Sequence, residues 1–218
     1  MTVQNKIFQK QTGLLANRYP KLKSSIQSII EAYLVMENSF QHDGKLLIAG
    51  NGGSAADAEH IAGELMKCFK IPRPITDEYA AKLKAADAVI GAEIAGKLEQ
   101  GLAALPLAAH EAFSTAYAND VDESCTFAQQ LFVLGRPGDV FLGISTSGNS
   151  RNILNAAVAA RARGMKVVGL TGADGGRLAA AADVAVKVPE KETYMVQELH
   201  LPVYHCWCLM LEERFFGT

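Results

Sequence analysis

His60 and Glu64 stand four residues apart in the run AEHIAGELMKCFK, so a helix there presents both on one face. A carboxylate suits removal of a proton between adjacent carbons, and an imidazole suits delivery of a proton to oxygen. A second set of such groups, Gln197, Glu198, His200 and His205, falls near the C-terminus. If the two segments meet, two histidines, a glutamate and a glutamine surround one site. The set His60, Glu64, Gln197 and His205 also has the donor types that hold a borderline divalent ion such as zinc. Spacing sets a condition on that idea. At ~1.5 Å per residue, Gln197 and His205 are about 12 Å apart along a regular helix. A common ion therefore needs a kink at Pro202, where a helical hydrogen bond is lost, or long side-chain reach, or ligands from different subunits. A surface His–Glu pair without catalytic duty has the same spacing.

Two loops nearby have the composition of anion sites. In KLLIAG-NGGSAAD an apolar strand stops at Gly50 and a helix starts at Ser54. Gly52 and Gly53 allow close backbone approach to a ligand. Ser54 is placed to cap the helix, and Asp57 completes a capping-box pattern. The exposed N–H groups and the helix dipole there favour an anion. In STSGNS, the hydroxyls of Ser145, Thr146, Ser147 and Ser150 surround Gly148 and Asn149. Hydroxyls with turn N–H groups hold a phosphate without a lysine. Plain polar turns fit both stretches as well. The letters Gly50-x-Gly52-x-x-Ala55 match a dinucleotide fingerprint, but no acidic residue follows at a strand end to hold a ribose. Two anion loops in one small chain point to a phosphorylated small molecule.

The elements that must position these groups read as strand, helix, strand. Short apolar strands are expected at 45–49, 105–109, 140–145, 166–170 and 184–188. Helices are expected near 54–70, 115–134, 151–163, 175–182 and 193–214. That order predicts a parallel sheet covered on both faces, with both anion loops at C-terminal strand ends. Residues 4–42 read as helical with a break near Tyr19-Pro20, and their wide apolar stripe suits a partner subunit as well as the core. The alanine-rich segment at about 71–105 reads as an insertion of two amphipathic helices joined near Gly91 or Gly96. It is a solvated decoration, a lid or a subunit contact.

With 218 residues, 49% of them hydrophobic, the chain suits one α/β domain with a substantial core. A net charge of −2 gives no footprint for nucleic acid or an anionic membrane surface. No apolar run approaches the ~18 residues of a membrane span, and the N-terminus lacks a signal core. Cys68, Cys125, Cys206 and Cys208 read as thiols in a reducing cytoplasm rather than a zinc site.

GNGGSAADAEH, Asn119-Asp120, LGRPGDVFLGISTSGNSRNI, GLTGADGG and QELHLPVYH together resemble the sugar-isomerase (SIS) domain family. The resemblance covers nearly the whole chain outside 71–105, as a single domain over 1–218. It implies a flavodoxin-like three-layer sandwich with a five-stranded parallel sheet. It also implies a homotetramer with sites between subunits and a cytoplasmic role in heptose supply for surface polysaccharide such as lipopolysaccharide. The implied reaction is aldose–ketose isomerisation through an enediol, turning sedoheptulose 7-phosphate into D-glycero-D-manno-heptose 7-phosphate. By motif position Glu64 is the base and His205 the acid, while His60, Glu64, Gln197 and His205 match positions that hold zinc in some members. Ser54, Ser145, Thr146, Ser147 and Ser150 match phosphate contacts. Asn51, Gly52, Gly53, Asn119, Asp120 and Gln197 are lining candidates. The family's usual Thr/Ser-Asp pair after the second strand is replaced by Ala109-His110-Glu111, so either His110 or Glu111 takes that contact or the sugar differs. Rival expectations are an isomerase of another phosphosugar and a non-catalytic SIS adaptor that binds the replication initiator.

Overall fold

In the computed structural model, which describes residues 3–217, five strands form one all-parallel sheet in the order β2-β1-β3-β4-β5. The strands are β1 (Leu46–Ala49), β2 (Ala104–Pro106), β3 (Val140–Ser145), β4 (Lys166–Thr171) and β5 (Val184–Lys187). This is the flavodoxin-like order, whose direction of travel reverses between β1 and β3. The register pairs Ala49 with Gly143, so the loops that leave β1 and β3 emerge side by side at that reversal.

Central strands buried on both faces leave no room for polar alternation, and β1 and β3 are buried at every position. Side chains alternate between two cores. Leu46, Ile48, Leu142 and Ile144 face a layer made by α2 (Ile26–Gln41), α3 (Gly53–Met66) and α10 (Thr193–Phe216). Leu47, Phe141 and Val167 face α7 (Thr126–Leu134), α8 (Arg151–Ala162) and α9 (Gly176–Ala181). The N-terminal α1 (Val3–Arg18) packs on α10, and a 3-10 turn over Pro20–Ser25 makes the expected break.

Several expectations need correction. The second strand lies at Ala104–Pro106 and gives way to a 3-10 turn over Leu107–Ala109. Pro106 cannot donate to a ladder and is tolerated because β2 is an edge strand. The helix expected at 115–134 is broken into α6 (Glu111–Tyr117), a π turn (Ala118–Asp122), a 3-10 turn and α7. Asp122 is extended there and its carboxylate accepts the Ser124 N–H at 2.7 Å, a local bond that competes with the helix. In the 71–105 segment, α4 (Asp77–Ala86) and α5 (Ile90–Ala95) are present, but they join at Asp87–Val89. Asp87 accepts the N–H groups of Val89 and Ile90, whereas Gly91 is a packing position: a Cβ there would lie 2.0 Å from the Leu83 carbonyl oxygen.

α10 runs unbroken through Pro202. His200 on this helix is fully buried, and neither ring nitrogen has a hydrogen-bond partner. Burial pushes its imidazole down to about 4. The folded value lies below the unfolded one, so the unfolded chain binds the proton more tightly. His200 therefore contributes stability that is present above pH ~6.5 and is lost as pH falls towards 4, by about 2 kcal/mol at pH 5. Thermal unfolding at pH 7 and pH 5 should show a smaller acid loss for His200→Leu than for the parent chain. An equal loss in both would remove His200 from the account.

Candidate active site

The turn after β1 begins the site. Gly52 has φ +55 and is the N-cap residue of α3, with no side-chain cap. Ser54 is buried inside the first turn, and Asp57 accepts a hydrogen bond from the Tyr204 hydroxyl at 3.2 Å. The capping box expected from Ser54 and Asp57 is therefore not formed: the left-handed glycine starts the helix one residue earlier. A Cβ on Gly53 would lie 2.6 Å from Gln197 Nε2, so the glycine lets that amide lie over the start of α3.

The second loop is braced from below. Ser145 and Ser150 hydroxyls lie 3.0 Å apart, and Ser147 Oγ accepts the Asn149 N–H at 3.1 Å. The Thr146 carbonyl accepts the Gly172 N–H at 2.9 Å, and the Gly148 carbonyl accepts the Leu178 N–H at 2.9 Å. Gly148 has φ +66, and a Cβ there would lie 2.0 Å from the Gly175 carbonyl oxygen. The GLTGADGG segment thus supports the serine loop from the next crossover. Ser150 is the N-cap of α8 but makes no side-chain cap bond, which leaves its hydroxyl with Ser145 at the helix start.

Asn51 and Asn152 join the two loops through reciprocal amide bonds of 3.0 and 2.8 Å. Beside them a cleft of about 300 Å³ is lined by Asn51, Gly52, Ser114, Glu123, Thr126 and Asn152. A neighbouring cavity of about 350 Å³ adds Asp122, Ser124 and Arg151. The candidates from the middle of the chain, His110, Glu111, Asn119 and Asp120, flank Ala108, Ser114 and Ala118 of the cleft without lining it themselves. His110 Nδ1 is 2.6 Å from Gln130 Oε1, Glu111 is exposed, and Asn119 donates to Asp120 at 2.9 Å on the exposed π turn. Ser114 and Glu123 carried no sequence signal, because single polar residues in a helix or cap look alike; Asn152 stands within LGRPGDVFLGISTSGNSRNI, where only the serines and Thr146 stand out as phosphate contacts.

The acid/base groups gather at the other end of α3. His60 Nε2 lies 3.5 Å from Glu64 Oε1, and the His60 and His205 rings meet edge to face with centroids 5.0 Å apart. Phe69 and Tyr204 stand against the His205 ring at 5.5 and 5.1 Å. Side-chain exposure is 42% for His60 and 14% for Glu64, so a ligand meets His60 first. His205 Nε2 is buried without a partner. Burial, then the neighbouring His60 and Arg18 charges, hold the His205 imidazole below its usual range, with Glu64 opposing. It is therefore neutral at neutral pH.

α3 delivers Glu64 into this cluster because its C-terminus is fixed. Arg73 donates to the Leu65 carbonyl at 2.9 Å and to the Glu64 carbonyl at 3.2 Å, satisfying two end carbonyls. Arg73 is in turn paired with Glu212 at 2.8 Å, both side chains 1% exposed. Glu212 also accepts the N–H groups of Phe69 and Lys70 at 2.8 and 2.9 Å. Burial would raise this carboxyl, but the combined hydrogen bonds outweigh it and hold it below its usual range.

Two features bear on how one chain uses these groups. Glu64 is eleven residues beyond Gly53, about 16 Å along the helix at ~1.5 Å per residue, so within one chain the proton-transfer cluster and the turn after β1 lie at opposite ends of α3. Gln197 stays with the loop end of the same arrangement. His60, Glu64 and His205 have the donor chemistry of a zinc site, yet among the described residues no three His, Cys, Asp or Glu side chains form a group that could hold an ion. With α10 unbroken between Gln197 and His205, the four sequence-derived ligands do not fit one ion within a single chain.

Fold and site together define a member of the SIS domain family, and the chain belongs to it: the family model matches residues 13–103 and 85–172. The chain is similar to a phosphoheptose isomerase of Aneurinibacillus thermoaerophilus, 41% identical over 81% of this chain and 76% of the relative. It is 40% identical to that of Thiobacillus denitrificans over 84% and 82% of the two chains. The phosphoheptose isomerase structure from Neisseria gonorrhoeae superposes with TM-score 0.72 at 33% identity, covering 97% of this chain and all of that one. The Francisella tularensis structure gives 0.74 at 29% identity, covering 98% and 100%.

Proposed function

We propose that this chain is an aldose–ketose isomerase converting sedoheptulose 7-phosphate to D-glycero-D-manno-heptose 7-phosphate. The carrying observation is the gathering of the Glu64 carboxylate with the His60 and His205 imidazoles. Its relatives named above supply the sugar.

Glu64 takes the proton from C1 of the ketose and returns it to C2 through an enediol. His205, neutral at working pH, donates an N–H to the carbonyl oxygen as charge develops there. The phosphate lies at the far end of the sugar, against Ser145, Thr146, Ser147 and Ser150, with Ser54 and the GNGG turn beside it. The separation of the GNGG turn from Glu64 along α3 supports a homotetramer whose sites form between subunits. The chain's role is heptose supply for surface polysaccharide in the cytoplasm; no helix among the described residues is long and apolar enough to cross a membrane. Zinc belongs to the same proposal: His60, Glu64 and His205 supply two nitrogens and a carboxylate, but closing them on an ion takes assembly or rearrangement. No proton transfer above is routed through it. Turnover of sedoheptulose 7-phosphate by the purified chain tests the reading.

A further inference from the structure

The cleft beside the GNGG turn holds polar side chains of two kinds, those already satisfied within the chain and those that are not. Asn51 and Asn152 donate to each other's amide oxygens at 3.0 and 2.8 Å. Thr126 Oγ1 donates to the Glu123 carbonyl at 3.0 Å. Ser114 and Glu123 remain. The Ser114 hydroxyl oxygen is buried and has no hydrogen-bond partner. A serine or threonine within a helix commonly bonds back to a carbonyl one turn earlier, as the next residue, Thr115, does with Glu111 at 3.0 Å. Ser114 does not. The Glu123 side chain is exposed and, among the described residues, its carboxylate has neither a hydrogen-bond nor an ion-pair partner. Asp122 beside it caps Ser124. Arg151 lines the adjoining cavity with Glu123 but does not close on it.

The two groups come from separate elements, α6 and the 3-10 turn before α7, and both line this cleft. A buried hydroxyl without a partner is costly, and a ligand that supplies the partner removes that cost. A carboxylate accepts hydrogen bonds, whereas a hydroxyl both donates and accepts. The ligand that suits Glu123 and Ser114 together is therefore a chain bearing hydroxyls. Asn152, on the cleft wall, is two residues beyond Ser150, so the cleft adjoins the serine loop. Hydroxyls that reach it belong to carbons next to a phosphate held by that loop.

We propose that Ser114 and Glu123 are specificity-determining residues: they hydrogen-bond the substrate hydroxyls next to its phosphate and so select polyhydroxylated phosphates over plain alkyl ones. The proposal rests on the phosphosugar reading for the class of ligand, and on no group of the Glu64 cluster. Ser114→Ala and Glu123→Ala each remove one of the two groups and leave the serine loop and α3 untouched.

The test is calorimetric binding of ribitol 5-phosphate, n-pentyl phosphate and inorganic phosphate, none of which the chain can isomerise, with turnover of sedoheptulose 7-phosphate measured alongside. The parent chain should bind ribitol 5-phosphate more tightly than pentyl phosphate. In Glu123→Ala, affinity for ribitol 5-phosphate should fall about ten- to hundred-fold, and in Ser114→Ala about three- to tenfold, the usual effects of losing a hydrogen bond to a charged and to a neutral group. Both variants should bind pentyl phosphate and inorganic phosphate no worse than the parent. Ser114→Ala should melt no lower than the parent, since the hydroxyl it removes has no partner in the chain. Equal losses for ribitol 5-phosphate and pentyl phosphate, the mark of a merely structural role, would overturn the proposal. So would unchanged ribitol 5-phosphate affinity in Glu123→Ala, or a parent chain that binds ribitol 5-phosphate no more tightly than pentyl phosphate. Selective binding that is lost in Glu123→Ala, in a chain that does not turn over sedoheptulose 7-phosphate, would sink the isomerase reading and leave the role of Ser114 and Glu123 standing.

Discussion

Glu64→Gln is expected to lower kcat for isomerisation by about two to four orders of magnitude while the chain stays folded. The amide keeps the volume and the helical position of the carboxylate but cannot accept a proton from carbon. Stability should change little, because the backbone carbonyl of Glu64, which Arg73 holds, is untouched. The side chain makes only loose contacts with His60 and Lys67, at 3.5 and 3.4 Å. Steady-state rates with the ketose phosphate, paired with a thermal melt, check both halves. Full activity in the variant would remove Glu64 from the mechanism.

The largest expected effect on stability comes from the Arg73–Glu212 pair. Glu212→Ala should destabilise the fold by roughly 3–5 kcal/mol, the usual consequence of leaving one member of a buried pair uncompensated. Two backbone N–H groups, of Phe69 and Lys70, would lose their acceptor as well. The loss reaches the site, since Arg73 without Glu212 no longer holds the end of α3 where Glu64 stands. Denaturant unfolding measures the first effect, and kcat under conditions where the variant is still folded measures the second. A change below about 1 kcal/mol would place the pair among the weak surface ion pairs.

The parts of the fold legible in the sequence were those with strong local pattern. Val140–Ser145 reads as a strand because it is apolar throughout, and the structure buries all of it between two helical layers. The Tyr19-Pro20 break is legible because proline has no N–H to continue a helix. Competing local bonds hid other features. Nothing in the letters 115–134 shows that Asp122 would cap Ser124 and interrupt a helix. The Ser54–Asp57 capping pattern misleads because Gly52 takes a left-handed conformation and Asp57 turns to Tyr204.

The site divides in the same way. His60 and Glu64 announce themselves by spacing on one helix. His205 joins them only through the packing of α10 on α3, a contact between residues far apart in the chain. Tyr204 was hidden because a tyrosine within an apolar helix reads as core, which its ring is. Arg73 and Glu212 are 139 positions apart, so no local signal links them.

Proton transfer between C1 and C2 of a phosphorylated ketose is the central step of the proposed reaction. The most direct test is NMR of sedoheptulose 7-phosphate incubated with the chain in deuterated water, with and without added zinc. Deuterium at C1 of recovered ketose or at C2 of product, together with a new aldose signal, is the expected result. Absence of exchange and of aldose under both conditions, with the sugar phosphate demonstrably bound, would contradict it.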